Sequence, residues 1–223
     1  MNRRTVQRVL GAAAVAGPLA CVAAWAFASV SVPGYHPMRA DLSALAAAGA
    51  PRPWITMSGE LLLAAGFLAL AARLAATLTG REAAAGIALL ATTGVTVAVQ
   101  ALAREDCDTG LAVCMAREQA GTVSWHHQLH GLAAVLSFMT FLAAPAILAV
   151  PLRAAAHRRA LATYSTLTTV AGLVLLVDYV AAPAGWNGLA ERVFVTVPVA
   201  WTVVLGIGLR REPQVRATLS NCP

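Results

Sequence analysis

The sequence predicts an all-α fold: a polytopic integral membrane bundle of six transmembrane helices with both termini on the cytoplasmic side. Three observations carry this. Hydrophobic residues make up 59% of the 223-residue chain and charged residues 12%, with a mean hydropathy of +0.70, against about 25% charged in soluble domains. The apolar residues gather in six runs, each long enough at about 1.5 Å per residue to cross a hydrocarbon core of about 30 Å. The basic residues fall in short groups between those runs, where orientation in a bilayer accounts for the net charge of +6 and a nucleic-acid surface does not.

Residues 1–8, with Arg3, Arg4 and Arg8, form a short cytoplasmic N-terminus, and the run over 9–30 is the first span. A cleaved secretory signal ending at Ala28 is the competing reading, since Ala26-Phe27-Ala28 precedes Ser29. The apolar run is longer than a signal core, which favours a retained span. Residues 31–53 are rich in proline and glycine and read as a loop. The second span covers 54–79, with Trp54 as interfacial anchor and Glu60 inside it. The link Gly80-Arg81-Glu82 is so short that the third span, 83–103, forms an antiparallel hairpin with the second.

A polar loop over 104–124 holds Cys107 and Cys114, and the fourth span, 126–150, opens on Trp125-His126-His127-Gln128-Leu129-His130. A basic link over 151–159 leads to the fifth span, 160–182, which carries Asp178. After a turn with Trp186, Glu191-Arg192 opens the sixth span, 189–209. Residues 210–223 form the tail, with Arg210, Arg211 and Arg216. Eleven of the sixteen arginines fall on the side of the termini and five on the other, so the positive-inside rule places the loops at 31–53, 104–124 and 183–188 outside. All sixteen basic residues are arginine, which with the alanine content suggests a GC-rich genome and the plasma membrane of a bacterium.

Orientation converts scattered polar residues into a candidate pocket. Glu60 lies about 9 Å below the outer edge and Asp178 about 6 Å, and the histidines open the fourth span at that same edge. His130 lies four residues from His126 and three from His127, so it can share a helix face with either. His126 and His130 have a common metal-ligand spacing, and Glu60, Asp178, Asp41, Asp106 or Asp108 could complete the set around a divalent ion such as zinc. Carboxylates inside a bilayer need partners, for which Arg104, Arg192 and the histidines are the available cations. No cofactor is assured by any of these residues. The bland reading, a structural cluster that holds helices together, is preferred over a metal or catalytic centre or a proton path.

Cys107 and Cys114, on the oxidising side, favour a disulfide, with a metal pair or two free thiols as alternatives. Cys21 reads as a small core residue, and Cys222 as a reduced thiol in the tail. No phosphate loop or serine-nucleophile motif is present.

The features His36-Pro37, Asp41-Leu42-Ser43, Pro51-Arg52-Pro53-Trp54, Asp106-Cys107-Asp108 ahead of His126 to Gly131, Gly188-Leu189-Ala190-Glu191-Arg192, Val197-Pro198 and Trp201 occur in an order that resembles one family of prokaryotic six-helix membrane proteins, the domain of unknown function 998. The resemblance implies a fold and a location, not an activity.

Three functions fit the residues. A non-enzymatic structural, sensing or lipid-interacting protein is preferred. A membrane-embedded metal-dependent hydrolase would use His126 and His130 as ligands and Glu60 or Asp178 as ligand or base, acting on a lipid or envelope precursor. A small transporter would use Glu60 and Asp178 as proton carriers. The lipid bilayer is the one partner the sequence names; nucleic acid is excluded by the charge pattern, and no protein partner can be read from it.

Overall fold

Each long apolar run forms a helix, and a shorter helix sits in the second loop. A computed structural model describes residues 2–183 and 185–209. Along it run α1 (Arg3–Ser31), α2 (Pro53–Ala75), α3 (Arg81–Leu102), α4 (Ala112–Gln119), α5 (Trp125–Arg153), α6 (Arg159–Val180) and α7 (Asn187–Gly208), with 3-10 turns at Ser43–Leu45 and Ala156–Arg158. All but α4 are long and apolar enough to cross a membrane, and the protein is a multi-pass membrane protein. The expected tail, with Arg210, Arg211, Arg216 and Cys222, lies outside the described residues.

Local chemistry sets the helix ends. The Asn2 side chain accepts the Arg4 N–H and caps α1. Pro53 occupies the first turn of α2, where its missing N–H costs nothing. The second helix ends at Ala75, short of the expected Thr79, and the Thr77 hydroxyl turns back onto the Arg73 and Leu74 carbonyls at 3.3 and 3.2 Å. Gly80, at φ 104°, then makes the tight reversal into α3 that a side chain would resist.

The spans close into a ring: α1 packs on α2, α2 on α3, α3 on α5, α5 on α6, α6 on α7, and α7 back on α1, with α2 also touching α7. Phe67, Leu70, Leu74, Phe141, Leu148, Trp201 and Leu205 fill the middle. Hydrophobic transfer does not drive helices together within lipid, so small residues that permit close approach matter. A Cβ on Gly59 would lie 2.7 Å from the Ala24 methyl, one on Gly66 2.7 Å from Pro18 Cδ, and one on Gly17 would strike the Leu62 carbonyl. These contacts press α1 against α2.

The two ends of the ring differ. At one, the buried Arg73 guanidinium donates to Gln7 O at 2.5 Å and Leu209 O at 2.6 Å, tying α2 to α1 and to the end of α7. The other end carries the two long loops, over 32–52 and 103–124, and the polar residues expected at the site.

Candidate functional site

The first loop folds down into the ring because its backbone is stitched there from three directions. Leu42 and Leu45 are buried, and the Leu42 N–H donates to Glu191 Oε2 at 2.5 Å. Arg192 donates to Pro37 O at 2.7 Å and Ala40 O at 3.0 Å, and it also bonds the Tyr35 hydroxyl. That hydroxyl donates to Asp41 O at 2.8 Å, and burial pushes its pKa up to about 12, with Arg192 pulling the other way. From the second loop, Arg104 donates to Ala46 O at 2.8 Å and Ala47 O at 2.6 Å. Both arginines are therefore spent on loop carbonyls, and neither lines the space beneath.

The second loop is a cross-linked flap. Cys107 and Cys114 form a disulfide that joins the loop to α4. Asp106 accepts the Ser124 N–H and hydroxyl, both at 2.7 Å, and Ser124 in turn caps α5. Those two bonds hold the Asp106 carboxyl below the ordinary carboxylate range.

The three histidines diverge. His126 directs Nδ1 to Arg104 O at 2.5 Å, and a carbonyl acceptor means that nitrogen carries the proton. His127 accepts the Asp106 N–H on Nδ1 at 3.1 Å, so its proton sits on Nε2 and is donated to Glu118 at 2.7 Å. His130 donates from Nδ1 to Gln100 O and Ala103 O, each at 3.0 Å, satisfying carbonyls left open at the end of α3. Its Nε2 faces Glu105 Oε1 at 3.6 Å. His127 and His130 are equally buried, but of the three only His130 lines the cavity beneath the loops.

Beneath the loops lies a cavity of about 140 Å³. Its acidic lining is Asp41, Glu60, Glu105 and Glu191, and His130 is the one basic side chain among them. Trp25, Phe67, Phe138, Phe141, Tyr179 and Phe194 supply apolar wall. Four of the lining residues carry buried polar atoms with no hydrogen-bond partner among the described residues: Trp25 Nε1, Asp41 Oδ1, Glu60 Oε2 and Glu105 Oε2. Burial, with Asp108 and Glu105 nearby, pushes Asp41 up to about 6. Burial likewise holds Glu105 above the usual carboxylate range although His130 opposes it.

The candidate residues thus separate. Glu60, Asp41 and His130 meet at the cavity. His126 and His127 serve the flap, Arg104 and Arg192 the first loop, and Asp178 is exposed on α6, where its neighbour Tyr179 faces the cavity instead. Glu105 and Glu191, which sequence reasoning did not place in the pocket, complete its acidic wall. Among the described residues, Cys107, Cys114 and His127 are the three donor side chains whose atoms lie within 4.8 Å of one another. That spacing is compatible with a metal ion, but sulfurs joined in a disulfide offer no thiolate to it. Neither His126 nor Asp178 joins His130 and Glu60 as a ligand set.

A family model described as a protein of unknown function, DUF998, matches residues 15–208. No curated protein and no solved structure matches the chain.

Proposed function

The chain belongs to the DUF998 family, and on that premise we propose that it is a non-enzymatic membrane protein that binds, and thereby senses, a small ligand in the cavity beneath its two long loops. One observation carries this reading: four buried polar atoms without partners sit on residues that line one cavity. A buried unsatisfied polar group costs about 1–3 kcal/mol. A cluster serving only to hold helices together would have such atoms paired with one another, and these four are gathered around a single space.

The arginine distribution supports placing these loops outside a bacterial plasma membrane, with both termini in the cytoplasm. The Cys107–Cys114 disulfide fits that oxidising side. The hydrolase reading is less well supported, because His126 Nδ1 is committed to the Arg104 carbonyl and, among the described residues, no group of three close donor atoms includes His126 and His130.

Thermal unfolding of Glu60→Gln tests the choice between ligand pocket and structural cluster. In a ligand pocket, neutralising an unpartnered carboxylate leaves the unfolding temperature unchanged or raises it. A fall of several degrees would show Glu60 to be a structural member of the bundle.

A further inference from the structure

We infer that the cavity is shaped for a small organic cation, an ammonium group with methyl- or ethyl-sized substituents and a nearby hydroxyl or carbonyl oxygen. The inference rests on the pocket reading and specifies its ligand. Four features of the cavity support it.

The first is charge. Asp41, Glu60, Glu105 and Glu191 face the space against His130 as the one basic side chain, and among the described residues no arginine lines it, so the wall is acidic on balance and disfavours an anion. A cation would be drawn in, with low-dielectric walls strengthening the attraction.

The second is donor spacing. A bare metal ion needs several ligand atoms converging at about 2.0–2.6 Å from one point. Among the described residues, the acidic and histidine side chains of this cavity supply no group of three donor atoms within 4.8 Å of one another. Carboxylates spread over a wall suit a cation that carries its own bulk between them.

The third is the apolar wall. Phe138 meets Phe194 edge to face with centroids 4.9 Å apart, and Tyr179 stacks on Phe194 at 6.3 Å. Aromatic rings attract ammonium groups through their electron-rich faces and also shelter alkyl substituents. A hydrated metal ion would gain little from them. The volume, about 140 Å³, is close to that of an apolar cavity of about 150 Å³ that admits benzene, which sets the size at a few heavy atoms.

The fourth is Trp25. Its indole N–H is a buried donor without an acceptor, and a carboxylate-seeking ammonium alone would leave it so. An oxygen on the ligand would satisfy it. An ammonium of this kind could be free or part of a lipid headgroup. The acidic wall favours the free amine, since a headgroup would bring a phosphate close to the carboxylates.

The test is calorimetric titration of the purified full-length protein, in a maltoside detergent at constant ionic strength, with choline, tetramethylammonium, glycerophosphocholine, zinc and calcium. Saturable choline binding is expected, weakened at least tenfold in Glu60→Gln. Tetramethylammonium, lacking the hydroxyl, binds more weakly, and Trp25→Phe removes its disadvantage relative to choline. Glycerophosphocholine binding as well as choline would keep the ammonium class and assign its source to lipid. Zinc or calcium binding that Glu60→Gln abolishes, with no choline binding, would overturn the ammonium class and leave the pocket standing. No binding by any probe, with Glu60→Gln as stable as wild type, also overturns the inference alone. No binding together with a destabilised Glu60→Gln would overturn the pocket reading as well.

Discussion

Glu191 and Leu42 are 149 residues apart, and the Glu191 carboxylate accepts the Leu42 backbone N–H at 2.5 Å. This bond carries the first loop into the ring and places Asp41, one residue earlier, on the cavity. Glu191→Ala leaves a buried N–H without a partner, at about 1–3 kcal/mol, whereas Glu191→Gln keeps an acceptor. The alanine variant should unfold several degrees below the glutamine variant and be cleaved faster by trypsin after the exposed Arg39. Equal stability and equal cleavage would show that the loop is held by Arg192 and Arg104 without this bond.

Two glycines on the same end of the bundle should respond in opposite directions to alanine. A Cβ on Gly188 would meet Pro37 O at 2.7 Å and would press on the Ala40 carbonyl. Backbone held by Arg192 cannot easily yield, so Gly188→Ala displaces the first loop and destabilises the protein by about 1–3 kcal/mol. Gly131 lies inside α5 with nothing within 4 Å of its added Cβ. Gly131→Ala should stabilise by about 0.5–1 kcal/mol from helix propensity, and because Gly131 lines the cavity it should also weaken ligand binding. Thermal unfolding of the two variants beside wild type checks both signs.

The disulfide closes a short loop, with a sequence separation of 7 between Cys107 and Cys114. Chain entropy for a loop of that size is worth about 2–3 kcal/mol. Denatured, non-reduced protein should take up two fewer alkyl groups than reduced protein in an intact-mass measurement. Cys107→Ala with Cys114→Ala should lower the unfolding temperature and loosen the flap that brings Glu118 to His127. An alkylation count unchanged by reduction would show that the bond does not form.

The spans were legible because a 20-residue apolar run has few alternatives, and their packing partners follow from short links such as Gly80. The short α4 was not legible: of its eight residues only Cys114 is buried, too few to announce a helix packed on the bundle. Depth within the membrane could be calculated from sequence, but not azimuth. Asp178 and Tyr179 lie at nearly the same height, yet one residue of helix turns the side chain by about 100°, and Tyr179 rather than Asp178 lines the cavity. Helical spacing of four allowed His126 to share a face with His130. At the first turn, however, His126 reaches sideways to the Arg104 carbonyl instead. In Glu105-Asp106-Cys107-Asp108 nothing distinguishes the carboxylate that turns inward from those that do not. Only the fold shows that Glu105 lines the cavity while Asp106 caps α5 through Ser124.

Asp41 should make the protein less stable as pH rises, the reverse of an ordinary paired carboxylate. Its folded pKa of about 6 lies above the unfolded value of about 3.9. Between those values the folded state holds a proton that the unfolded state has lost, so unfolding releases it and stability falls with rising pH across about 4 to 6. Above pH 6 the full penalty persists; below pH 4 it is absent. Asp41→Asn removes the charge while its amide oxygen can still accept from Thr109, which bonds Asp41 Oδ2 at 3.4 Å. The variant should therefore unfold a few degrees above wild type at pH 7, and the two should converge below pH 4. Taking the difference between the two proteins cancels the opposite slope from Asp106, whose pKa is lowered. An Asp41→Asn variant less stable than wild type at pH 7 would mean that the charged carboxylate has a stabilising partner in the folded protein.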